Sequence, residues 1–120
     1  LYPHEGDWRQ ARTPQRGWEL NVPLFSIPTD IQRPPTSFLQ VEGPAIVETW
    51  KPAEDGDGDI LRLYEPYGSR GEVTVHITKV PVREVVACNL IEENAESVPM
   101  EDGVFHFAIK PFQIRTFRIR

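Results

Sequence analysis

With 120 residues, 39% of them apolar and 26% charged, the chain is long enough for one domain with a single modest core. A formal net charge of −5 and an isoelectric point near 5.2 exclude nucleic acid as the main partner. Neutralising phosphates takes clustered Lys and Arg, and the only local basic cluster here is Arg115, Arg118 and Arg120. No apolar run approaches the roughly 18 residues that a membrane span needs, so no membrane partner is expected.

The chain opens Leu1-Tyr2-Pro3-His4, without Met or a basic leader region, which reads as a processed or excised stretch of polypeptide. Residues 1–37 carry Pro3, Pro14, Pro23, Pro28, Pro34 and Pro35 together with Trp8 and Trp18. Proline fixes φ and lacks a donor, so this stretch is not sheet interior but a Pro/Trp-rich linking segment. Asp7 is placed to cap a turn that carries Trp8 and Ala11. Thr13-Pro14 reads as a second cap followed by Pro at the first helical position, opening a short helix that carries Trp18 and ends near Asn21. An extended connection follows over 23–35. Such short helical turns do not hold in water unaided. Trp8, Trp18, Leu20, Leu24 and Phe25 are therefore expected to dock on the sandwich or on a neighbouring surface.

From Phe38 the period becomes two, and residues 38–120 are predicted to form the C-terminal β-sandwich domain. Strands are expected over 45–50, over 60–64 with Leu61 and Leu63 on one face, over 73–77 with Val73, Val75 and Ile77 alternating against Thr74 and His76, over 82–90, and over 105–109. In the last strand Phe112 and Ile114 share one parity and Phe117 and Ile119 the other, a phase change that predicts a β-bulge near Arg115-Thr116. Residues 54–59, 67–71 and 100–103 supply Gly-rich and Asp-Gly turns between strands. The fold class is all-β, an antiparallel β-sandwich of the immunoglobulin-like kind with an irregular, partly helical N-terminal segment.

Little in the sequence points to chemistry. Asp55, Asp57 and Asp59 have the odd spacing of a calcium loop, but the twelfth position, which should be Glu, is Pro66. A tight hairpin with solvated carboxylates is the better reading. His4, His76 and His106 lie far apart, with no zinc-ligand spacing. Ser26, Ser37, Ser69 and Ser97 lack a nucleophile elbow, and Glu92 and Glu93 read as solvated surface charge. Cys88, the only cysteine, follows Val85-Val86-Ala87 and reads as a small buried hydrophobe rather than a nucleophile, compatible with a reducing compartment. Trp8, Trp18 and Trp50 read as core or interface residues. A free-standing carbohydrate-binding sandwich with Trp50 or Trp8 as its platform is the alternative. No catalytic, cofactor-binding or metal-ligating residue is assigned.

Three stretches, in order, resemble the family 38 α-mannosidases among the glycoside hydrolases. The first is Leu1-Tyr2-Pro3-His4-Glu5-Gly6-Asp7-Trp8 with Glu19-Leu20-Asn21-x-Pro23-Leu24. The second is Glu48-Thr49-Trp50-Lys51-Pro52-Ala53-Glu54-Asp55-Gly56-Asp57-Gly58 followed by Ile60-Leu61-Arg62-Leu63-Tyr64-Glu65-Pro66-Tyr67-Gly68. The third is Asn89-Leu90-Ile91-Glu92, Phe105-x-Phe107, and Lys110-Pro111-Phe112-Gln113-Ile114-Arg115-Thr116-Phe117. Pro14 departs from the pattern, interrupting a segment expected to be more helical. The resemblance implies the non-catalytic C-terminal β-sandwich of an enzyme that hydrolyses terminal α-mannosyl linkages with retention. Its zinc ion and carboxylate nucleophile would belong to a catalytic domain outside this chain. The implied partners are the catalytic and preceding β-domains of the same polypeptide, with room for a homo-oligomer, and the implied location is cytoplasmic.

Overall fold

The alternation of apolar and polar residues becomes two antiparallel sheets. The computed structural model describes residues 1–93 and 96–120, which divide into two units, Leu1–Thr36 and Ser37–Arg120. In the second unit the strands run β1 (Leu39–Glu42), β2 (Ile46–Pro52), β3 (Asp59–Tyr64), β4 (Gly71–Ile77), β5 (Val85–Cys88), β6 (Glu96–Val98), β7 (Met100–Glu101), β8 (Val104–Ile109) and β9 (Ile114–Ile119). One sheet has the order β1-β4-β8-β7 and the other β2-β3-β9-β5-β6. The expected all-β antiparallel sandwich is what the chain forms.

The core lies between the sheets. Leu61 and Leu63 from β3, Phe117 and Ile119 from β9, and Val85 from β5 meet Val73, Val75 and Ile77 from β4 and Phe105, Phe107 and Ile109 from β8. Each such burial contributes about 1.5–3 kcal/mol. Phe117 sits at the centre, edge-on to Phe105 with ring centroids 5.0 Å apart and tilted against Phe107 at 4.7 Å. The Arg115 guanidinium lies over the Phe107 and Phe117 rings, 5.5 and 5.4 Å from their centroids.

The predicted bulge at Arg115-Thr116 is absent. Pairing of β3 with β9 runs unbroken from Asp59 opposite Ile119 to Tyr64 opposite Ile114. The phase change has another cause: Phe112 precedes the strand in a left-handed turn with φ 57°, and Phe112 and Ile114 are both exposed. From Thr116 to Ile119 every residue is buried, because both faces of β9 are covered. A register shift does occur in β2, where Val47 faces Leu63 but Thr49 faces Arg62, leaving Glu48 as the extra residue. The strand expected over 82–90 contracts to β5, and β1 and β6 form where no separate strand was predicted.

Within the first unit, Asp7 caps its turn as expected. Its Oδ1 accepts from the amides of Arg9 and Gln10, both at 2.9 Å, while Gln10 Oε1 accepts from the Asp7 amide at 3.3 Å, a reciprocal capping box. The helix α1 spans Thr13–Asn21, but its cap is Arg12, in a left-handed conformation with φ 54° and no side-chain cap bond. Thr13 is thus one residue inside the helix, and its hydroxyl is buried without a partner. None of the residues of α1 is buried, and among the described residues no helix is long and apolar enough to cross a membrane.

Candidate functional site

Two polar clusters stand out in the sandwich, each built on a buried charge. The first is Glu65, directly after β3 and 1% exposed. Its Oε1 accepts from the Tyr67 amide and the Ser69 hydroxyl, both at 2.8 Å, and its Oε2 from the amides of Gly68 at 2.8 Å and Phe112 at 3.0 Å. Burial pushes the carboxyl pKa up, but hydrogen bonds to the charged form, with the Phe112 amide foremost, outweigh it and hold the group below its usual range. The Glu65 amide also donates to the Gln113 carbonyl at 3.0 Å. One residue therefore ties the connection after β3 to the turn before β9.

The second cluster lies on the outer face of the five-stranded sheet, around Arg118, which is 5% exposed. Its Nη1 meets Asp55 Oδ1 at 2.7 Å, Asp55 Oδ2 at 2.8 Å and the Asp57 carbonyl at 2.8 Å, and its Nη2 donates to the Glu92 carbonyl at 3.2 Å. The hydrogen bonds from Arg118 and then from the Asp57 amide hold the Asp55 carboxyl at about 2. Arg62 beside it donates to Thr116 Oγ1 and to the Leu90 carbonyl. Asn89 shapes the covering loop by accepting from the amides of Ile91 and Glu93. That loop and the hairpin between β2 and β3 close over Ile60, Val86, Thr116 and Arg118, all buried on the face turned away from the core.

These positions correct two expectations. Glu92 is not solvated surface charge: its side chain is 6% exposed and its Oε1 lies 2.8 Å from Lys51 Nζ, while Oε2 accepts from the Glu54 amide. Lys51 leads the causes that lower its pKa. The hairpin over residues 54–59 forms as predicted, but its carboxylates are engaged rather than merely solvated. Asp55 goes to Arg118, Asp57 to Arg120 at 2.8 Å, and Asp59 accepts from the Trp50 indole at 3.0 Å. Three carboxylates that point to three partners do not converge on a cation. Among the described residues no three His, Cys, Asp or Glu side chains are gathered so as to hold a metal ion, so the residues present do not fit a zinc site.

The remaining candidates are scattered. His76 Nε2 is 3.5 Å from Glu42, His106 pairs with Thr74 across the strands at 2.9 Å, and His4 stands beside Tyr2. Ser37 and Ser69 donate to the Leu39 carbonyl and to Glu65. Cys88 is half-buried rather than fully buried, and burial raises its thiol pKa. Trp50 is partly buried and packs against the core, and the Arg9 guanidinium lies over the Trp8 ring at 4.4 Å. Sequence reasoning missed Glu65 and Arg118 as organising residues. The available signals were an acid in an otherwise apolar strand end before Pro66, and an arginine between Phe117 and Ile119.

Both clusters use their charges to fix loops: Glu65 ties the connection after β3 to the turn before β9, and Arg118 ties β9 to the hairpin between β2 and β3. The chain is 34% identical to Alpha-mannosidase 2C1 of Homo sapiens over 95% of its own length. It is 31% identical to Alpha-mannosidase G of Dictyostelium discoideum over 98% of its length. It spans only 12% of the length of each of these relatives. No solved structure matches it. Residues 44–117 match the family model described as the glycosyl hydrolases family 38 C-terminal beta sandwich domain, and the chain belongs to that family.

Proposed function

We propose that this chain serves as the non-catalytic C-terminal sandwich of an α-mannosidase that hydrolyses terminal α-mannosyl linkages with retention. The observation that carries the reading is the family match over 44–117, joined to two α-mannosidase relatives that align with nearly the whole chain while being about eight times its length. The nucleophilic carboxylate and the zinc ion would be held by a catalytic domain of the same polypeptide, in a cytoplasmic protein. Two features support a supporting role for this part: Glu65 is saturated by four hydrogen bonds, and Asp55 is bound by Arg118. Turnover of an aryl α-mannoside is the test. The complete polypeptide should cleave it with retained anomeric configuration and lose activity on chelation, and the 120-residue chain should be inert with or without zinc. Inactivity of the complete polypeptide on α-mannosides, or turnover by the 120 residues alone, would overturn the reading.

A further inference from the structure

One exposed feature of the sandwich is held in place at a conformational cost. Phe112 is 66% exposed and has φ 57°, a left-handed conformation that bulky residues rarely take and that marks a position fixed by its surroundings. The surroundings here are specific. The Phe112 amide donates to the buried Glu65 carboxylate, the Gln113 amide donates to the Lys110 carbonyl, and the Lys110 amide donates to Gln113 Oε1. The ring lies over Gly68, also at positive φ, where a Cβ would come within 2.8 Å of Phe112 Cζ. An apolar side chain is thus raised on a rigid turn. Arg70 and Lys110 flank it, each one step beyond the last paired residues of β4 and β8, Gly71 and Ile109. Neither makes an ion pair among the described residues.

We propose that Phe112 is a docking knob, and that the turn over residues 110–113 seats in an apolar, acid-rimmed pocket on the part of the same polypeptide outside these 120 residues. The proposal rests on the reading of this chain as one domain of a longer α-mannosidase. Its relatives carry 88% of their length elsewhere, as 12% is covered here, and the matching family is a C-terminal domain, so the occupant lies earlier in the chain. A second copy is a poorer occupant, because a two-fold interface sets the patch against itself and would bring Arg70 and Lys110 against their own like charges. A lipid surface is poorer too, since the turn offers one ring where membrane attachment needs a broad apolar face.

The test places a photo-crosslinking phenylalanine analogue at position 112 in the complete polypeptide, with position 106 on the outer face of the other sheet as control. Cross-linked peptides are identified by mass spectrometry, with and without anionic vesicles. The expected result is an intramolecular link from position 112 to one region outside residues 1–120, with a yield about tenfold above that from position 106. Phe112→Asn, which tolerates the left-handed turn, should raise hydrogen exchange in that same region. A link confined to residues 1–120, to a second copy or to lipid, or no link above the control, overturns the proposal. Mannosidase activity of the unmodified protein is measured separately. Its absence counts against the enzymatic reading alone, while activity without the remote link counts against the docking alone.

Discussion

A single nitrogen of Arg118, Nη1, straddles both carboxylate oxygens of Asp55, at 2.7 and 2.8 Å, and so fastens the final strand to a hairpin 63 residues earlier. Arg118 is paired in register with Ile60 on β3 and Val86 on β5, which sets its side chain among the buried residues of the outer face. A buried guanidinium needs its donors satisfied, and the hairpin and the loop over residues 89–93 supply the acceptors. Replacing Arg118 with Leu should keep the packing of the stem but leave the Asp57 and Glu92 carbonyls without their donor. A loss of about 1–3 kcal/mol is expected, read by urea unfolding, with faster exchange at the amides of Glu54 and Asp57 than in β4.

Acid should weaken the fold in a defined window. Asp55 is held at about 2 against an ordinary 3.8, first by the Arg118 hydrogen bond, and Glu65 and Glu92 are also lowered. A carboxyl whose folded pKa is depressed contributes stability that is fully present above its unfolded value and is lost as pH falls through the folded one. The urea midpoint should therefore be flat down to about pH 5 and fall between about pH 4 and 2. Asp55→Asn should lower stability at pH 7 and make the decline below pH 4 shallower. Because the Asp55 side chain is more than half exposed, added salt should reduce the difference. An unchanged acid profile in Asp55→Asn would show that the pair is not what the proton competes with.

Glu65→Gln changes only one oxygen to nitrogen but has a large expected effect. Each carboxylate oxygen accepts two hydrogen bonds, so an amide group in either position faces two donors with a third. Stability should fall by about 2–4 kcal/mol, the penalty for leaving buried N–H groups unpaired. The new NH2 is least costly at the Oε1 site, where the Ser69 hydroxyl can turn to accept, so the Tyr67 amide should lose exchange protection first.

Gly56 and Gly58 lie in one hairpin at similar φ, 75° and 84°, yet they should respond differently to Ala. A Cβ on Gly56 meets nothing within 4 Å, whereas one on Gly58 overlaps the Ile119 carbonyl oxygen. Gly56→Ala should cost about 1–2 kcal/mol, the strain of a left-handed L-residue. Gly58→Ala should cost more, because β9 must also move. Thermal unfolding of the two variants side by side measures the difference.

Phe117→Ala should be among the most damaging core changes, at about 3–5 kcal/mol. It removes the ring that contacts both Phe105 and Phe107 and strips one of the two aromatic faces beneath Arg115. Leu at the same position should recover part of the loss.

Most of the sheet interior was legible because side-chain parity is a local property of an extended chain. Val73, Val75 and Ile77, Phe105 and Phe107, and Leu61 and Leu63 all face the core that their alternation assigns them. Hairpin turns were legible for a similar reason, since Asp102-Gly103 carries its positive φ values in the residue types that tolerate them. The family resemblance was legible in three ordered stretches. The bulge was misplaced because β9 is covered on both sides, so burial there no longer alternates and parity loses its meaning.

What only the tertiary structure decided is which loops cover which face. Parity shows that Arg118 and Thr116 point away from Phe117, but it does not show that a hairpin 63 residues away and the loop over residues 89–93 close over them. Glu65, Glu92 and the asparagine-shaped loop took their roles in the same way, through contacts between segments distant in sequence. The sequence by itself determined the strands over 60–64, 73–77 and 105–109, the hairpin turns over 54–59 and 100–103 and the family. Tertiary packing decided which charges are buried and what satisfies them, because desolvation and hydrogen bonding depend on the atoms brought around a group, while period and propensity depend only on its neighbours along the chain.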